Sequence, residues 1–491
     1  MIKSSTIDLL KILSSKELKE FSEFLKSPFH NTNKSVIKLF EQLKKYYPDF
    51  NSKKFTKEEI FKSVYGNKIY NEQTMKSAVF TLGKLAEEYL TYKSYLNKSA
   101  SRKYDFIFEL MNRGQFDLVE KNLKGYKEII EKNDGITDEF IRDKMDYEIL
   151  NTQFNYRRNK QQLPMGNVYM QVDYHIRFNL MRLANFIHDL KVNKIIFNAK
   201  YDTTFVEEYI KNLNLEATAE YLRKNADENE LNEITEIYVL RILFYINPKE
   251  EKYYFRLKEL IVRNLSKFHP HERYNMFQTL EALCWILQQE VSREKYDRES
   301  YNIYKLRLEH GVYSPDNKFM RIILYRAIMV TLLLYPDYDY IQGFIDGCIP
   351  RLPPEHRENM SNYSYAMLHF SKKEYELALE FASKINFELF SFRYDVRLLI
   401  FKVYYELNYF EEAFSLIDAH KHFIKTNVTV SEHYREMHTN FIHFYAEILK
   451  AKLGSKDIET DLIKIKIKDI NNIPYREWFT EKIDELKKAA T

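Results

Sequence analysis

Thirteen histidines, two cysteines and 71 carboxylates give this chain of 491 residues the raw material for metal binding or acid–base chemistry, so their spacing decides what they can do. A helix turns ~100° per residue, and an ion held on one helix takes donors at i and i+3 or i+4. His433 and His438 stand five apart, which points them ~140° away from each other. His438 and His443 repeat the mismatch. His420 and His422, and His269 with His271 and Glu272, fall near expected helix ends, where turn and capping roles are ordinary. Cys284 and Cys348 lie in apolar surroundings without Cys-x-x-Cys spacing and read as buried small hydrophobes. Ten scattered glycines make no phosphate-cradling loop, and no Gly-x-Ser-x-Gly elbow is present. The pairs Glu87-Glu88 and Glu411-Glu412 read as solvated helix faces. The residues therefore nominate no catalytic group, no cofactor site and no metal ligand, and the chain reads as non-enzymatic.

The elements that would position any site are helices. Only 10 Gly and 11 Pro occur, far below the usual ~7% and ~5%, and helix interiors are where both residues are most costly. The expected fold is all-α, with short polar turns. A single core rarely grows past ~250–300 residues, so this length implies several domains or an extended array in which each unit meets its neighbours. Residues 1–100 hold 18 Lys, no Arg and 11 acidic residues, a charge of +7 that leaves −3 for the remaining 391 positions. An arginine-free basic segment suits diffuse attraction to phosphate better than base reading. The first residues lack the apolar core of a secretory signal, and the apolar run from Ala327 to Tyr335 is far short of the ~20 residues that span a bilayer. A cytoplasmic protein without membrane contact is the expectation.

Within the first hundred residues, Ser14-x-x-Glu17 is a capping box ahead of a helix that Ser27-Pro28 ends. Thr56-x-x-Glu59 repeats the device, with Gly66-Asn67 as the stop. From Asn71 a longer helix sets Met75, Ala78, Val79, Leu82, Leu85, Ala86 and Tyr89 on one core stripe. Asn97 to Ser101 marks the expected boundary between a helical N-terminal domain, 1–100, and a helical array, 101–491. Further turns are expected at 162–166, Asn247-Pro248, His269-Pro270, 314–317 and 350–354. The alternating run from Leu462 to Lys468 is read as a helix whose stripe is Ile458, Leu462 and Ile465. Pro474 opens a terminal helix carrying Trp478, Ile483 and Leu486, suited to cap the array.

Two segments superpose at a 35-residue offset: Lys373-Glu374-Tyr375-Glu376-Leu377-Ala378-Leu379 on Asn408-Tyr409-Phe410-Glu411-Glu412-Ala413-Phe414. In each, a turn leads to an aromatic opening a helix, Tyr375 or Phe410, and then to a small residue, Ala378 or Ala413, where two helices must approach closely. Arg113-Gly114-Gln115-Phe116, with Val119 in the alanine's place, reads as a degenerate first hairpin. This pattern resembles the tetratricopeptide repeat (TPR), over about 359–425, although Phe401 takes a place where that family prefers a small residue and neither unit ends in its usual proline. The order of features also resembles a set of bacterial helical proteins with no assigned activity. The TPR resemblance implies an α-solenoid of helical hairpins acting as a scaffold that binds another protein, as a helix or extended peptide, along a groove.

A second resemblance lies at the head. Residues 56–65, the turn at Gly66 and the helix from Asn71 to Tyr89 are similar to the second and third helices of a winged helix-turn-helix domain. That resemblance implies the alternative function, a DNA-associated transcriptional regulator with the repeats as sensor and with Lys76, Thr81 and Lys84 among its nucleic-acid contacts. No alternating wing follows Tyr89, and the would-be reading face is short of base-reading side chains.

Overall fold

A computed structural model of the protein describes residues 4–50, 55–158, 165–197, 204–316, 318–386, 390–426, 432–454, 460–470 and 472–490. The turn residues Gln162 to Pro164, Asn317 and the stripe residue Ile458 lie outside them. Among the described residues every regular element is a helix. The chain forms two compact units, Met1–Ile187 with Tyr221–Val239, and His188–Glu220 with Leu240–Thr491.

The first unit begins with α1 (Ser5–Ile12), α2 (Ser15–Lys26), α3 (Lys34–Leu43), α4 (Lys57–Tyr65) and α5 (Glu72–Asn97). The Ser14 box forms in both directions. At Thr56 only half the device forms, the hydroxyl accepting from the Glu59 amide. The α5 stripe is buried apart from half-buried Val79 and closes one apolar cluster running from Ile7 to Tyr89. Gly83 is required there. A Cβ at that position would stand 2.6 Å from the Thr6 hydroxyl, which donates to the Val79 carbonyl at 3.0 Å and ties α1 to α5. After α5, α6 (Ser99–Asn112), α7 (Phe116–Glu131) and α8 (Asp138–Arg157) share a separate cluster around Ile107, Val119, Tyr126 and Leu150. Next come α9 (Met165–Phe197), α11 (Leu215–Lys224) and α12 (Leu231–Ile246), each with residues in both units, and α10 (Thr204–Asn212), which belongs to the second.

In the second unit follow α13 (Glu251–Asn264), α14 (Pro270–Glu290), α15 (Arg293–Glu309), α16 (Ile322–Leu332) and α17 (Tyr338–Cys348). Pro270 opens α14 and the His269 imidazole caps it, accepting from the His271 amide at 3.2 Å. The last helices are α18 (Arg357–Ser371), α19 (Tyr375–Ser383), α20 (Phe390–Leu407), α21 (Phe410–Thr426), α22 (Glu432–Lys452), α23 (Thr460–Asp469) and α24 (Arg476–Ala490). From α13 to α24 each helix packs on its sequence neighbour. The run 462–468 is helical, but its buried stripe is Ile463 and Ile467, while Leu462 and Ile465 are exposed. A Lys-Ile alternation offers two helical phases, and the four-residue step 463–467 is the one that reaches the core.

The turns before α7, α19 and α21 share one geometry. Gly114, Lys373 and Asn408 take positive φ of 69°, 63° and 59°. The next amide reaches back five residues in every case: Gln115 to Leu110, Glu374 to His369, and Tyr409 to Tyr404. These are Schellman closures, which satisfy carbonyls that a helix end leaves without partners.

Candidate functional site

The aligned repeat residues lie inside. Ala378 and Ala413 are fully buried, as is Val119. Tyr375 is half-buried with its ring 5.6 Å from that of Phe370, and Phe410 packs against the C-terminal apolar cluster. All five pack against neighbouring helices, and among them only half-buried Tyr375 carries a side-chain polar group.

At the head, Lys76 and Lys84 are exposed on α5 and Thr81 is half-buried. The polar atoms of Lys76 and Thr81 are engaged locally, and Lys84 has a ring contact alone. Glu72 receives Lys57 at 2.8 Å and Lys76 at 3.6 Å, the Thr81 hydroxyl donates to the Ser77 carbonyl at 2.9 Å, and Lys84 lies over the exposed Phe80 ring. The lysines of Glu72 hold its carboxyl well down, to about 2, with Tyr70 adding a hydrogen bond. A phosphate approaching this face must compete with that carboxylate.

A groove of about 860 Å³ lies between α13 and α15 in the second unit. Both helices line it by the same arithmetic. Phe255, Lys258, Glu259, Val262 and Arg263 fall at i, i+3, i+4, i+7 and i+8, and Arg298, Tyr301, Asn302, Lys305 and Leu306 repeat those steps. Each set is one face of a 3.6-residue helix. Its apolar lining comes from exposed Phe255, half-buried Val262 and Leu306, and buried Tyr301. The charges above it differ in how they are satisfied. Lys258 donates to Glu299 at 2.6 Å, and Arg263 pairs with Glu259, which also receives Arg256. Arg298 and Lys305 make no ion pair among the described residues. The Arg298 guanidinium lies 4.6 Å from the Tyr335 ring centre and 5.4 Å from that of Tyr301; the Lys305 amine lies 4.6 Å from Tyr340 and 5.6 Å from Tyr301. Ring faces hold a cation by their quadrupole without neutralising it. Two positive charges are thus fixed in direction and free to receive an anion.

A second polar cluster is closed. Arg326 on α16 makes a two-pronged pair with Asp395 on α20, and Glu406 on α20 receives Lys482 at 2.9 Å and the Trp478 indole at 3.1 Å. Between them Lys402 is 4% exposed. Burial pulls its amine down to about 7, against the opposing pull of Glu406 and Asp395. A neutral amine is a potential nucleophile; here the Tyr475 and Phe370 rings, 3.6 and 4.5 Å away, cover it. Nor are the thiols activated. Burial pushes Cys284 up to about 12 and Cys348 up to about 11, and thiolate chemistry needs the opposite shift.

None of the groove residues stood out in the sequence. Their stripe is readable at 298–306, but the absence of a carboxylate partner is a tertiary property. Comparison of the chain with family models, curated proteins and solved structures finds no match.

Proposed function

We propose that the protein is a non-enzymatic scaffold that binds an acidic, extended segment of a partner protein along the groove of α13 and α15, its C-terminal hairpins stacking as a TPR-like solenoid. The observation that carries this reading is the pair of cations without carboxylate partners among the described residues, Arg298 and Lys305, seated on tyrosine rings beside apolar lining residues. From Arg298 to Glu309 the face runs ~16 Å at the helical rise, enough for about five residues of extended chain. Acidic side chains would meet the two cations, and alternate apolar ones would meet Phe255, Val262 and Leu306. The recurring turn geometry at Gly114, Lys373 and Asn408 supports the hairpin architecture. No helix among the described residues is long and apolar enough to cross a membrane, in keeping with a partner met in solution.

Affinity capture with the intact chain in its native cell extract, followed by rebinding of purified components, tests this. Arg298→Glu/Lys305→Glu should lose the partner, and a control reversed at Lys76 and Lys84 should keep it. A partner held equally by all three baits rejects the groove.

A further inference from the structure

The bridges between α13 and α15 advance along both helices together, so the two run in the same direction. Lys295 donates to Glu251 at 2.6 Å, and Glu299 accepts from Tyr254 at 2.9 Å and from Lys258 at 2.6 Å. These contacts join residues 41 to 45 positions apart. A separation inside that range sets Phe255 across the groove from Arg298, and Val262 across from Lys305. The groove is therefore a ladder of two rungs, each with an apolar group on the α13 wall and a cation on the α15 wall. On both walls the rungs stand seven residues apart, ~10.5 Å at the helical rise. The charges obey a second limit. The Arg298 guanidinium and the Lys305 amine lie 5.4 and 5.6 Å from the same Tyr301 ring centre, which caps their separation at about 11 Å.

Resting on the groove reading above, we propose that the bound segment is an acidic, proline-containing stretch in the polyproline II form, with its acidic residues three apart and a proline after each. That form rises ~3.1 Å per residue with three residues per turn, so every third residue returns to one face after ~9.3 Å. The rung spacing lies within ~1 Å of this repeat. A β-strand returns to one face after two residues, ~6.7 Å, or after four, ~13 Å. The first falls ~4 Å short of the rungs, and the second exceeds the limit that Tyr301 sets. The same repeat supplies the other wall. In a five-residue segment the first and fourth side chains meet Arg298 and Lys305, the second and fifth meet Phe255 and Val262, and the third faces water. Proline suits the second and fifth places because its ring packs on an aromatic face and its missing N–H loses nothing where no ladder forms. A helix with acids seven apart would match the rungs in length. With side chains it is ~10–12 Å across, too broad to pass between walls tied by ion pairs of 2.6 Å. Glu309, four residues past Lys305 on the same face, would repel a third acid and ends the run at two.

The test titrates the full chain into labelled peptides of one composition, each with two Glu and two Pro in a Ser background, and reads fluorescence anisotropy at ~150 mM salt. The peptides differ in whether the acids stand two, three or four apart, and a proline-free, helix-forming peptide with acids seven apart joins them. The peptide with acids three apart and a proline after each should bind ~10-fold or more tighter than the others. Replacing its prolines by Ala should weaken it, because the free peptide is then no longer held in the bound form. Arg298→Glu/Lys305→Glu should remove its binding. Phe255 is exposed, so Phe255→Ala leaves the core intact; it should weaken the proline peptide and leave the alanine version nearly unchanged. Tighter binding of acids two, four or seven apart, or equal binding of all spacings, each lost on charge reversal, would overturn the polyproline form and leave the groove reading in place. If the parent holds no peptide more tightly than the charge-reversed chain does, both are overturned.

Discussion

The two carboxylates on the helix of Lys402 serve other cations, Asp395 holding Arg326 and Glu406 holding Lys482, so the buried amine has aromatic rings and no counter-ion. Its folded value of about 7 lies below the ordinary 10.5. The unfolded chain therefore binds this proton more tightly than the folded one. The resulting destabilisation is present in full below pH 7 and is relieved as pH rises from 7 towards 10.5. At ~1.4 kcal/mol per unit, the penalty is on the order of a few kcal/mol. Lys402→Met should accordingly be more stable than the parent at pH 7, with an advantage that shrinks towards pH 10; urea midpoints across that range check it, and a variant weaker than its parent at pH 7 would refute the assignment. His188 works at the other end of the scale. Burial, with Arg241 adding to it, lowers its imidazole to about 4, and its Nδ1 stands 2.7 Å from the Tyr245 hydroxyl. Its folded form stays neutral while the unfolded form takes a proton near pH ~6.5, so stability is lost as pH falls from there towards 4. His188→Gln, which keeps a polar partner for Tyr245, should flatten the slope of stability between pH 6.5 and 5.

Between a helix and its neighbour, the decisive positions are those where chains approach closest or bend most sharply. Ala378 and Ala413 are fully buried, whereas Glu376 and Glu411 on the same helices are exposed. Tryptophan at either alanine should cost at least the ~1–3 kcal/mol of an overpacked core, and tryptophan at either glutamate should leave the denaturation midpoint nearly unchanged. Equal losses in the two pairs would defeat the 35-residue alignment. The turns make a complementary claim. Lys373 and Asn408 occupy the left-handed conformation that Gly114 occupies in the first hairpin, and side chains there are disfavoured by ~1–2 kcal/mol. Lys373→Gly should stabilise by roughly 0.5–1 kcal/mol and Gly114→Ala should destabilise by a similar amount, both read from thermal unfolding. These features were legible in the sequence because caps and turns are written locally: Ser14 with Glu17, Asn71 ahead of α5, and the aromatic after each turn. The α23 phase was not, since alternating Lys and Ile fit two helical faces and only packing chooses. Phe255 across from Arg298, and Arg298 without a carboxylate, depend on which helices meet, and no local spacing records that.

Charge over the whole chain is unevenly placed, with +7 in residues 1–100 and −3 in the rest, yet the accessible cations that lack partners include Arg298 and Lys305 far outside the basic head. On α5, Glu72 takes up both Lys57 and Lys76, so a large formal charge presents a weaker field to a phosphate backbone than the count suggests. The two functional readings therefore separate by where charge reversal acts. Lysine–phosphate pairing alone is lost steeply with salt, since each neutralised phosphate releases a counterion and the logarithm of affinity falls ~0.9 for every logarithmic unit of salt per contact. Duplex DNA should bind the full chain measurably only at low ionic strength, lose that binding by ~150 mM salt, and show no enriched motif in a selection from random sequences. Reversal of Lys76 and Lys84 should abolish the low-salt binding and leave partner capture intact, while reversal of Arg298 and Lys305 should do the opposite. A motif that survives physiological salt and depends on Lys76, Thr81 and Lys84 would move the function from the groove to the head, because base-specific contacts are the part of recognition that counterion release does not supply.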